Sequence, residues 1–186
     1  RAKSPLKGLL QPFVPLLIAW VGRGKVKTLT QVEQCVVVEC LTGRKLVSAL
    51  YANELLMRLI LPGESFSTLF TVYQRLLYAL LDTHLNKVGG YLRQFENHLL
   101  RELGYGLTFD KEYNTGKPIC VQQSYQFNPD QGFSLARNWR NWGQSKKYPA
   151  CLGQSIYLGK TLLALHHGNY HHPGIQQEAK SIMRLA

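Results

Sequence analysis

Gly159, Lys160 and Thr161 in "YLGKTLLAL" come nearest to a catalytic spacing in this chain, since a Gly-Lys-Thr triplet closes the loop that cradles nucleotide phosphates. The first glycine of such a loop would fall at position 154, which is Gln154, so the triplet reads as a helix start. Four histidines in "HHGNYHHPG" (His166, His167, His171 and His172) invite a metal reading. Gly168 and Pro173 make that stretch a turn, and it holds no acidic or cysteine ligand, so a surface turn that gains charge in mild acid is expected. The four cysteines, Cys35, Cys40, Cys120 and Cys151, form no C-x-x-C pair, which argues against a zinc ribbon or finger. Motifs of the types G-x-x-x-x-G-K-[ST], G-x-G-x-x-G, G-x-S-x-G and H-E-x-x-H are absent. With no paired carboxylates or nucleophile–base arrangement either, the expectation is a protein that is not an enzyme and takes no cofactor or metal.

Binding chemistry is better represented. Arg1, Lys3, Lys7, Arg23, Lys25 and Lys27 flank a stretch of aromatic character that includes Phe13 and Trp20. Basic loops around a small sheet suit single-stranded nucleic acid, with charge along the backbone and rings for stacking. In "RNWRNWGQSKKY", Arg137, Arg140, Lys146 and Lys147 alternate with Trp139, Trp142 and Tyr148. These ten cations are the candidate DNA contacts; the competing reading of the second stretch packs its rings under a loop with the charges outward. In "YLRQFENHLLRELGYGL", Arg93 stands one step from an apolar face carrying Leu92 and Phe95. That arrangement could hold a carboxylate beside an apolar pocket, or simply pair Arg93 with Glu96 one helical turn on.

Bulk charge agrees with a polyanionic partner. The 186 residues carry +11, divided as +4 over residues 1–40, +1 over 41–133 and +6 over 134–186, with no acid before Glu33. Basic ends around a nearly neutral middle suit a scaffold whose terminal segments meet phosphates. No run of about 18 uncharged apolar residues occurs, so no membrane-spanning helix and no membrane partner are expected. Scattered cysteines fit a reducing cytoplasm. The opening "RAKSPLKG" lacks Met and an apolar signal core, and reads as an internal position of a longer protein.

The elements that must position these residues change character near Leu41. Residues 9–38 read as strands, with Pro12 and Pro15 confining the first run to an edge or a bent strand. "GRKLVSALYANELLMRLIL" reads as a helix central to a bundle, with Leu46, Leu50, Met57 and Ile60 on a wide apolar face and Val47 and Leu59 beside them. After "PGES", where Glu64 and Ser65 suit a helix opening, the stripe Phe66, Leu69, Phe70, Tyr73, Leu76, Leu77 and Leu80 predicts a core helix. "DTHLNKVGG" reads as a connector, and a helix over 91–103 ends on left-handed positions at Gly104 and Gly106. Residues 107–150 are turn-rich and predict a long irregular or short-stranded insertion. Helical structure is expected to resume at "SIYLGKTLLALHH", with a last helix starting at Pro173.

Four stretches in order, "LKGLLQPFVPLL", "GRGKVKTL", "ALYANELLMRLI" and "LRQFENHLLRELGYGLTF", resemble the RecO family of bacterial recombination mediators, over residues 6 to about 110 and more loosely to the end. The resemblance implies an α+β protein: the end of an amino-terminal OB-fold barrel over residues 1–40, then a mainly helical domain over 41–186 with an irregular insertion at about 107–150. It implies a cytoplasmic, nucleoid-associated bacterial protein that binds single- and double-stranded DNA and anneals complementary strands in gap and double-strand-break repair. It also implies work with RecR, binding of the acidic tail of single-stranded-DNA-binding protein (SSB), and RecA loading on SSB-coated strands. Such tails end in an aromatic residue with a free carboxylate preceded by acidic residues, and the family's arginine for that tail would be Arg93, with Leu92 and Phe95 as apolar neighbours. Zinc-carrying relatives place a cysteine pair where this chain has Glu112 and Thr115, so the insertion is expected to hold no zinc. Two other readings remain beside this one: a basic protein-binding adaptor without direct DNA binding, and an RNA-associated basic protein.

Overall fold

The computed structural model describes residues 8–24, 26–36, 39–82, 87–136 and 155–185. The chain opens with an antiparallel hairpin of β1 (Leu16–Val21) and β2 (Thr28–Gln34), in which Ile18 faces Val32 and a bulge falls between Ala19 and Trp20. β1 starts directly after Pro15, whose carbonyl accepts from the Cys35 amide at 3.0 Å, so the expected strand from residue 9 begins seven residues later. Proline donates nothing to a ladder, and two of them keep the preceding segment out of the sheet. Phe13 instead takes φ +67 and packs its ring against the helical core. A left-handed turn at a non-glycine residue costs on the order of 1 kcal/mol, which the partly buried ring offsets. Leu17, Ile18, Trp20 and Val21 are all exposed on the hairpin, because two strands have too little area to enclose an apolar interior.

Three helices build the first core: α1 (Gly43–Leu59), α2 (Ser67–Asp82) and α3 (Val88–Glu102). Leu69, Leu76 and Leu80 of α2 meet Phe95 and Leu99 of α3 and the fully buried Ala49 and Ala52 of α1. Two alanines let α1 approach closely, and this choice of face corrects the expectation that α1 is central. Val47, Leu50, Met57 and Leu59 lie exposed on its other side, with Met57 at 84%. Phe70 likewise leaves the expected stripe of α2 and is exposed, and α2 opens at Ser67 rather than at Glu64 or Ser65. α3 begins at Val88, so the glycine pair of the expected connector lies inside its first turn. A Cβ at Gly90 would overlap the His171 imidazole, whose ring meets Tyr91 edge-on at 4.6 Å. α3 ends through Gly104, φ +85, with the Tyr105 amide bonded to the Leu100 carbonyl at 2.8 Å. Gly106 is not left-handed; it lies against the Arg101 stem, where a Cβ would stand 2.8 Å from Cγ.

The second core joins the insertion to the last two helices. β3 (Ser124–Asn128) pairs with β4 (Gly132–Leu135) through a tight turn and, on its other edge, with β5 (Ser155–Leu158), giving the antiparallel order β4-β3-β5. Phe109, Tyr125, Phe127, Phe133 and Tyr157 fill it, closed by Leu162 and Leu165 of α4 (Gly159–His166) and Ala179 and Ile182 of α5 (Pro173–Leu185). The insertion is therefore short-stranded where it is described. "SIYL" is β5 and not the expected helix start, because the free edge of β3 and the ring of Phe133 next to Tyr157 reward an extended segment. α5 starts at Pro173 as its sequence predicts. α5 also packs on α3 and so ties the two cores together.

Candidate functional site

One groove gathers residues from three helices at the junction of the cores. α3 forms its floor with Val88, Gly89, Leu92 and Arg93; α1 forms one wall with Gly43, Arg44, Val47 and Ser48; α5 forms the other with Gln176, Gln177 and Lys180. On α1 and α3 the lining follows the same i, i+1, i+4, i+5 spacing, one side of a helix in each case. The volume is about 730 Å³ and, among the described residues, no Asp or Glu lines it. Apolar surface from Val47, Val88 and Leu92 therefore lies between the cations Arg44, Arg93 and Lys180.

Arg93 is held from beneath. Its side chain is buried, its Nη1 stands 2.6 Å from Oε2 of Glu96, and the other Glu96 oxygen accepts from the Tyr51 hydroxyl at 2.9 Å. Burial pushes the Glu96 carboxyl above the ordinary glutamate value, and the positive charges of Arg93, Arg184 and Lys180 together with the Tyr51 hydrogen bond pull against that rise. Burial, reinforced by the neighbouring Glu96 charge, pushes the Tyr51 phenol up to about 12. The arrangement is a fixed guanidinium whose charge is matched by a buried carboxylate at its back.

Of the three residues expected to hold an acidic tail, the structure brings Leu92 and Arg93 to the groove but not Phe95. Phe95 is 1% exposed, with its ring 6.3 Å from that of Tyr73. One turn beyond Leu92, it faces the three-helix core and supports the floor from behind. Sequence reasoning missed Arg44, Val47, Val88 and Lys180. The apolar pattern of α1 pointed Val47 inward, and nothing in the sequence spacing says that α5 lies across α3.

Of the ten expected DNA contacts, Arg23 and Lys27 are described, and both sit at the tip of the β1–β2 hairpin near the exposed Trp20. The Lys27 ammonium donates to the Gly22 carbonyl at 2.9 Å and so braces that turn. Arg1, Lys3, Lys7, Lys25, Arg137, Arg140, Lys146 and Lys147 lie outside the described residues. Phe13, packed on the helices, is not offered for stacking.

The remaining candidates resolve into structural roles. The Gly159 amide donates to the Gln123 carbonyl and the Lys160 amide to that of Val121, so the first amides of α4 already have backbone partners that a phosphate would have to displace. His166 Nδ1 stands 4.0 Å from Asp110, and His171 is packed over Gly90. Among the described residues no three His, Cys, Asp or Glu side chains gather as metal ligands, and Cys151 lies outside them. At Glu112 and Thr115, the Thr115 hydroxyl donates to Glu112 Oε2 at 2.6 Å and the Gly116 amide to the Glu112 carbonyl at 3.0 Å.

A family model described as Recombination protein O C terminal matches residues 40–141. The chain is similar to the DNA repair protein RecO of Proteus mirabilis, 45% identical over 131 residues, which are 70% of this chain and 53% of that protein. It is 34% identical to DNA repair protein RecO of Actinobacillus pleuropneumoniae serotype 5b over 186 residues, all of this chain and 72% of the relative. The protein of that name from Coxiella burnetii is 37% identical over 98% of this chain and 73% of its own length.

Proposed function

The chain belongs to the RecO family of DNA repair proteins, and from that membership we propose a non-enzymatic recombination mediator whose helical domain docks the SSB tail in the α1–α3–α5 groove. In this reading the protein binds single- and double-stranded DNA, anneals complementary strands and, with RecR, helps load RecA onto SSB-coated DNA. Annealing needs no catalytic base. A cationic surface lowers the repulsion between two phosphate backbones, and the bases do the rest. The net charge of +11 and the basic hairpin tip carrying Arg23, Lys27 and Trp20 support the DNA part.

The observation that carries the tail-docking part is the groove itself. An apolar floor at Leu92, with the fixed Arg93 guanidinium beside it and no acid among the described residues of its lining, matches an aromatic residue that ends in a free carboxylate. The test is fluorescence anisotropy of a labelled SSB-tail peptide, with labelled single-stranded DNA titrated in parallel. Arg93→Ala alone leaves the Glu96 charge buried and unmatched, so the informative variant is Arg93→Ala combined with Glu96→Gln. Loss of peptide binding with DNA binding kept is the expected result. Peptide binding equal to the parent's would remove Arg93 from the site, and failure to bind DNA in the parent would leave a protein-binding adaptor.

A further inference from the structure

The cations around the groove are not equivalent. Arg93 is neutralised at its back by Glu96, which is itself 5% exposed and also held by the Tyr51 hydroxyl. The Arg93–Glu96 pair therefore adds almost no net charge to the groove, although the guanidinium stays fixed in its lining. Lys45, next to the α1 wall, donates to the Leu81 carbonyl at 2.9 Å and so closes the last turn of α2. Arg58, further along α1, pairs with Glu54 at 2.7 Å. The two exposed cations that line the groove without an ion-pair partner among the described residues are Arg44 on the α1 wall and Lys180 on the α5 wall. They stand on opposite sides of the apolar floor.

We infer that Arg44 and Lys180, rather than Arg93, read the acidic residues of the docked peptide, while Glu96 holds Arg93 as a positioned donor for its terminal carboxylate. This rests on the tail-docking reading above and assigns the parts of the peptide to different residues. Net positive charge at the groove then comes from the two walls, so attraction to a run of carboxylates is a property of Arg44 and Lys180 together. A nucleic-acid strand fits the same cations less well, because no aromatic side chain among the described residues lines the groove to stack a base. Val47, Val88 and Leu92 favour an aliphatic or aromatic peptide side chain instead.

The test uses two labelled peptides with the same terminal phenylalanine carboxylate, one preceded by aspartates and one by asparagines. Each is titrated against the full chain and its Arg44→Glu, Lys180→Glu, Val47→Asp and Arg58→Glu variants, with matched melting curves confirming the fold. Arg44→Gln and Lys180→Gln replace any reversal that melts early. The parent should prefer the aspartate peptide. Each groove reversal should cost that peptide roughly fivefold or more and leave the asparagine peptide nearly unchanged. Arg58→Glu, with the same change in net charge away from the groove, should do neither.

An undiminished aspartate preference in both groove variants overturns the assignment while leaving the docking reading intact. Indifference of both peptides to Val47→Asp, or no binding by the parent, overturns the docking reading and the assignment with it. An equal loss of labelled oligothymidylate binding in Arg44→Glu and Lys180→Glu would make these residues DNA contacts and sink the proposal.

Discussion

Glu96 shows how a single residue sets the terms for a site it does not enter. Its carboxylate lies under the groove between Arg93 and Tyr51, and burial raises its pKa above the ordinary value of 4.5 despite the cations around it. An acid with a raised native pKa holds its proton more tightly folded than unfolded. Its contribution to stability is therefore greatest when protonated, and is lost as pH rises from about 4.5 through the higher native value. We expect the urea midpoint of the parent, relative to that of Glu96→Gln, to decline over that interval and then level. A parent-minus-variant difference that is flat with pH, or that rises, would show that Arg93 and Tyr51 cancel the burial.

At the scale of elements, the junction between β5 and α4 depends on one absent side chain. Gly159 opens α4 against the turn at 120–123; a Cβ there would overlap the Cys120 carbonyl oxygen and come within 3.1 Å of the Tyr125 ring. Both obstacles are fixed, since the Tyr125 hydroxyl accepts from the Cys120 amide at 2.8 Å and its ring is fully buried. Gly159→Ala should destabilise the fold by about 1–3 kcal/mol, visible as a lowered thermal midpoint. Parent-like stability would mean that the turn yields freely. This is also the physical content of the glycine in the Gly-Lys-Thr triplet: it permits close packing and has no need to admit a phosphate.

At the scale of the whole molecule, two separate surfaces each combine cations with apolar groups. The described basic residues of the hairpin tip lie on a two-stranded unit with the exposed Trp20 ring, and the groove lies where α5 crosses the three-helix core. If the hairpin carries phosphate contacts, affinity for single-stranded DNA should fall log-linearly with salt, by about 0.7 in slope for each contact. Arg23→Ala should flatten that slope by about one contact's worth without changing affinity for the tail peptide. A slope that is unchanged would place the DNA surface away from the hairpin tip.

Some of this architecture was legible residue by residue. The Leu69–Leu76–Leu80 stripe, the stop at Gly104 and the start at Pro173 are local signals, because apolar periodicity, left-handed φ and a missing amide act within one turn of chain. The strand character of β1 and β2 was legible for the same reason, whereas the turn-rich insertion left irregular and short-stranded structure both open. Other features were not local. Val47 and Met57 are apolar, as Leu46 and Leu56 are, and it was the two alanines of α1, pressed against α2 and α3, that decided which side faces in. "SIYL" became a strand because β3 had an open edge. The groove exists because α5, which is remote in sequence, lies across α3 and brings Lys180 over a floor that Arg93 and Leu92 had already suggested. Local chemistry names residues able to bind; their meeting depends on burial, which is a property of the packed chain as a whole.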